Sequence, residues 1–133
     1  MKRILSAILL ISILATSTAA FSFPVQADDG ILMTGRELAD KCVEIATEYK
    51  TLYVMGCFGT PLNQAGKDRY SNYTDYNKQP DRVAKINAAT DDTFGFDCVC
   101  LVKGILWGWN GDTESFYGGA TYASNGVDDM TIN

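Results

Sequence analysis

The chain has 133 residues, with 11 basic against 16 acidic side chains, a net charge of −5 and 47% hydrophobic residues. That length allows one small domain, and the acidic balance, with no cluster of Lys and Arg, excludes a nucleic-acid or anionic-membrane partner, because counterion release needs clustered cations. There is no histidine, so the side chain that most often takes a proton near neutral pH is missing.

The chain opens on Lys2 and Arg3, an apolar run over 4–14, and small residues leading to Val25-Gln26-Ala27 before Asp28. This order predicts a secretory signal over 1–27, cleaved near Ala27. An uncleaved anchor helix over 4–23 is the alternative, weakened by the Ser and Thr that dilute the run. Residues 28–133 then form the mature part, with nine basic and sixteen acidic residues and no second apolar span. The expected product is secreted or cell-wall associated, free of the membrane after cleavage, and a monomer.

Thr34-Gly35-Arg36-Glu37 has the form of a capping box, and Leu38, Cys42, Ile45 and Tyr49 follow at helical spacing. Together they predict an amphipathic helix over 34–50 with Cys42 on its core stripe. Residues 51–61 are apolar and closed by Gly59 and Pro61, which reads as one extended segment entering a turn. Residues 62–79 read as a polar, tyrosine-rich loop, with Tyr70, Tyr73 and Tyr76 half-buried against the core; Asn72-Tyr73-Thr74 fits a glycosylation pattern of low specificity. Pro80 opens a short helix that ends by Asp91-Asp92-Thr93.

Gly95-Phe96-Asp97-Cys98-Val99-Cys100-Leu101 reads as a glycine-containing turn delivering Cys98 to the first turn of an apolar helix over 98–109. Backbone N–H groups and the positive helix end at that position favour thiolate, and Asp97 is placed to cap the helix. Val99, Leu101, Val102, Ile105, Leu106, Trp107 and Trp109 make the helix apolar on nearly every face, which predicts surrounding protein. Asn110-Gly111-Asp112 stops it, and residues 115–127 are turn-rich.

Four cysteines in an exported chain admit two disulfides. The spacing favours mostly free thiols instead, since Cys98 and Cys100 point apart on a helix. No metal site is expected: the zinc-type C-x₂-C spacing is absent, and Asp112 with Glu114, or Asp128 with Asp129, match no calcium loop. No carboxylate pair has a context that would raise one pKa for glycoside hydrolysis.

Tyr53-Val54-Met55-Gly56-Cys57-Phe58-Gly59, together with the later Gly95-Phe96-Asp97-Cys98-Val99-Cys100-Leu101-Val102-Lys103, resembles the N-terminal half of an NlpC/P60 cysteine peptidase domain over about residues 35–125. The resemblance implies a papain-like α+β fold, with mainly its helical half present in this chain. It implies Cys98 as nucleophile, with Asp97 binding the substrate's amino end and Tyr53 lining the cleft near the reacting carbonyl. It also implies peptide-bond hydrolysis in peptidoglycan stem peptides, with no cofactor. The family's catalytic histidine and its sheet have no counterpart here, so the chain is expected to be a fragment, inactive alone and marginally stable with its apolar helix uncovered. Cys57, Met55 and Cys100 depart from the family pattern, and Cys100 is expected to be a buried small side chain. The alternative is a secreted, non-catalytic module that binds wall peptides or a protein partner.

Overall fold

The computed structural model describes residues 33–129; the expected signal at 1–27 lies outside the described residues. Helix α1 (Gly35–Glu48) starts as its sequence dictates. The Glu37 carboxylate accepts from the Thr34 N–H at 2.7 Å, and the Thr34 hydroxyl accepts from the Glu37 N–H at 3.3 Å. Its apolar stripe packs inward, with Ile45 buried and Leu38, Cys42 and Tyr49 against the same core.

The chain then builds a three-stranded mixed sheet from β1 (Lys50–Tyr53), β2 (Phe58–Pro61) and β3 (Thr93–Phe96), in the order β1-β3-β2. Strand β3 runs parallel to β1 and antiparallel to β2, with a bulge between Phe58 and Thr60. The one extended segment expected at 51–61 is therefore two strands, parted by a turn at 54–57. The glycine expected to form a turn at 95 lies inside the central strand, for a steric reason. A Cβ on Gly95 would stand 2.8 Å from the Cys57 sulfur and 3.3 Å from Val54. Close approach of the neighbouring turn requires the missing side chain.

The stretch expected to be loop contains helix α2 (Gln64–Tyr70), capped by Asn63, whose side chain accepts from the Gly66 N–H at 3.1 Å. Tyr76 is half-buried as expected, whereas Tyr70 is fully buried and Tyr73 exposed. Helix α3 (Pro80–Ala88) begins on its proline.

Helix α4 (Cys98–Leu106) packs on β2 and α1. It is covered on one face only: Lys103, Gly104 and Ile105 are buried, while Cys98 is exposed and Val99, Val102 and Leu106 are half-exposed. The helix also stops earlier than its apolar run, at Trp107, whose N–H bonds back to the Lys103 carbonyl at 2.8 Å. Trp109 lies beyond it and donates its indole N–H to the Gly59 carbonyl at 2.9 Å, inside a ring cluster with Tyr49, Phe94 and Phe96.

The domain is α+β, and its strands and helices share two cores. One gathers Ile45, Phe58, Phe94, Phe96, Ile105, Trp107 and Trp109; the other gathers Val54, Cys57, Leu62, Tyr70 and Ile86. Strand β2 packs on α4, which corrects the expectation of a central helix without a covering sheet; among the described residues four helices stand beside three short strands. Among the described residues no helix is long and apolar enough to cross a membrane.

Candidate functional site

Asp97 organises the site. It is the N-cap of α4 in extended conformation, which frees its side chain to reach the first helical turn. One carboxylate oxygen accepts from the Cys100 N–H at 2.6 Å, and the other accepts from the Gly56 N–H at 2.7 Å. The Asp97 N–H donates in turn to the Cys57 carbonyl at 3.0 Å. The two sequence motifs thus meet through charge-assisted bonds, which are about twice as strong as neutral ones. Gly56 sits at φ +80°, and a Cβ there would stand 2.4 Å from the Tyr73 ring. Glycine is what this turn accepts.

Cys98 occupies the first position of α4, and its side chain is exposed. The other thiols are buried or half-buried. Burial pushes Cys42 and Cys57 up, Cys57 being fully enclosed. Cys100 is half-buried, and burial followed by the hydrogen bond and charge of Asp97 pushes it up to about 12. All four cysteines are free. Cys100 was expected to be buried; it is only partly so, because the helix opens there onto a cavity.

Tyr53 ends β1, beside the start of α4, and is 43% exposed. Burial first, then the charges of Cys98, Asp97 and Tyr76, push its phenol up, against the opposing pull of Arg82. The hydroxyl therefore stays protonated at neutral pH. Tyr53, Asp97 and Cys98, named from the sequence, are brought together. Asp97 is more engaged than the resemblance implies, since each carboxylate oxygen already holds a backbone N–H.

Two residues that sequence reasoning passed over complete the arrangement. Asn77 is fully buried and grips Met55 from both sides, accepting from its N–H at 3.1 Å and donating to its carbonyl at 3.0 Å. Arg82, on α3, donates to the Tyr53 carbonyl and lies over the rings of Tyr76 at 5.1 Å and Tyr53 at 6.0 Å. Asn77 lies in the tyrosine-rich stretch and Arg82 just beyond it, and no local pattern marks either.

A cavity of about 240 Å³ lies on the Cys100 side of the cap. Gly56, Phe58, Tyr73, Cys100 and Trp107 line it together with the Lys103–Asp129 ion pair, and Tyr122 donates to Asp129 at 2.7 Å. A larger hollow of about 370 Å³, lined by Asn63, Asp91, Asp92, Thr113 and Glu114, contains none of the expected site residues. Among the described residues no three His, Cys, Asp or Glu side chains gather as a metal site.

What the arrangement offers chemically is an exposed sulfur at a helix start. The Cys100 N–H is taken by Asp97, and the N–H groups of Cys98 and Val99, in the first turn, have no helix carbonyl to bond to. No protein-family model, curated protein or solved structure matches this chain.

Proposed function

We propose that this chain presents the nucleophile of a secreted cysteine peptidase-like site acting on peptidoglycan stem peptides, in a papain-like NlpC/P60 setting. The observation that carries the reading is the Asp97 cap, which joins the Tyr53–Cys57 turn to the helix start and leaves Cys98 exposed beside Tyr53. In this reaction the Cys98 sulfur bonds to the substrate carbonyl carbon as the C–N bond breaks. The thiol proton passes by way of a base to the leaving amine, and water then cleaves the thioester, restoring the thiol. Helix-start N–H groups hold the oxyanion, and the protonated Tyr53 hydroxyl lines the same cleft.

The missing part is the base. No side chain of this sequence takes a proton near neutral pH with the ease of imidazole. Turnover therefore depends on an acceptor that these side chains do not supply. The absence of histidine favours a second reading, a secreted module that binds wall peptides without cutting them.

The test is incubation of the full chain with synthetic stem peptides, with and without added imidazole, followed by mass spectrometry. Acylation of Cys98 and peptide cleavage only with imidazole, both lost in Cys98→Ala, is the expected result. Saturable binding with no cleavage under either condition supports the module. Neither binding nor cleavage removes both readings.

A further inference from the structure

Arg82 is 8% exposed, and its buried Nε has no hydrogen-bond partner among the described residues. None of the ion pairs formed among those residues includes it. A buried guanidinium without a carboxylate is expensive, and an apolar side chain of similar volume in its place is often neutral or stabilising. Packing alone therefore gives no reason for an arginine here. What distinguishes the guanidinium is where its contacts fall. It donates to the Tyr53 carbonyl, lies over the Tyr53 ring, and lies over Tyr76, whose ring meets Tyr53 edge-on at 5.8 Å. Each contact ends on Tyr53 or on the ring that braces it, and Tyr53 is paired in the sheet with Phe96, two residues before Cys98.

We propose that Arg82 is a positioning residue of the Cys98 site, holding Tyr53 beside the thiol through the tyrosine's own carbonyl and ring. This inference rests on the reading of Cys98 as a presented nucleophile, but not on its substrate or on turnover. A planar fork is suited to the task, because one group donates in its plane while stacking on its face, which an ammonium does not do. Asn77 holds Met55, two residues on from Tyr53, by its N–H and its carbonyl, so residues 77 and 82 both grip the turn that Asp97 ties to α4.

The test is the rate of Cys98 alkylation by iodoacetamide, read residue by residue on the full chain, in a cycle of Arg82→Gln and Arg82→Lys with Tyr53→Phe. Cys42, half-buried on α1, serves as the gauge of folding within the same molecule. Arg82→Gln is expected to change the Cys98 rate by at least about threefold with Cys42 unmoved, and Arg82→Lys to fall between it and the parent. In the Tyr53→Phe background, which keeps ring and carbonyl but lacks the hydroxyl, the same Arg82 substitutions should have less than about half that effect. An equal effect in both backgrounds, or none in either, overturns the proposal. Should Arg82→Gln fail to fold, Arg82→Lys carries the same comparison. A chain that never cleaves stem peptides yet keeps this coupling loses the peptidase reading and retains Arg82 as the residue that sets Tyr53.

Discussion

Cys98 and Cys100 stand two residues apart on one helix, yet their surroundings have opposite chemistry. Cys98 lies at the helix start, with its side chain exposed and its N–H outside the ladder. Cys100 has its N–H bonded to Asp97, and its thiol is turned into a half-buried position where burial and the Asp97 charge hold it protonated. Cys100 therefore stays a thiol at pH 8. The difference comes from the cap: a single carboxylate fixes where the helix begins, and that decides which sulfur is presented and which is enclosed.

The largest expected effect comes from removing that carboxylate. Asp97→Ala breaks the bonds to Gly56 and Cys100 together, and a loss of about 2–4 kcal/mol is expected in a urea titration. The contrast between the thiols should blur as well, since the charge that helps hold Cys100 up is gone; its pKa should fall, read by its alkylation against pH. Gly56→Ala attacks the same joint from the other side. A side chain at φ +80° is strained and meets Tyr73, but that ring is exposed and yields, so about 1–2 kcal/mol is expected.

These positions also show how far the sequence could be read. The α1 capping box, the proline start of α3 and the Asp97 cap are local patterns whose partners lie within three or four residues, and each was legible. The Gly56–Asp97 bond that joins the Tyr53 and Cys98 motifs spans 41 positions, beyond the reach of any local pattern. Strand β3 was hidden because Thr93-Phe94-Gly95-Phe96 is short and holds a glycine, whose place in the strand depends on a turn some forty residues away. Helix α2 was hidden because it is short, polar and contains Gly66, so propensity argues against it while its packing on α3 decides. Arg82 and Asn77 reach Tyr53 and Met55 across more than twenty positions, and no local pattern carries that.

The smallest expected effect concerns the Cys100 side of the helix. The Lys103 ammonium, and after it the Tyr122 hydroxyl, hold the Asp129 carboxyl below its ordinary value. A carboxylate lowered in the folded state contributes its stability above the unfolded value, near 3.9, and loses it as pH falls through the folded one. Asp129→Asn should therefore cost a little stability at pH 6 and nothing at the lowest pH at which the fold persists. Acid titrations of the two proteins should converge there. Cys98 alkylation should be the same in both, because the contact lies on the enclosed side of the cap.

The central claim is that one sulfur of four is presented for attack. Timed iodoacetamide labelling of the full chain at pH 8, with each cysteine followed separately by peptide mass spectrometry, tests it most directly. Cys98 is predicted to react at least about ten times faster than Cys42, Cys57 or Cys100. Labelling of Cys100 or Cys42 at the rate of Cys98 in the folded protein would contradict it.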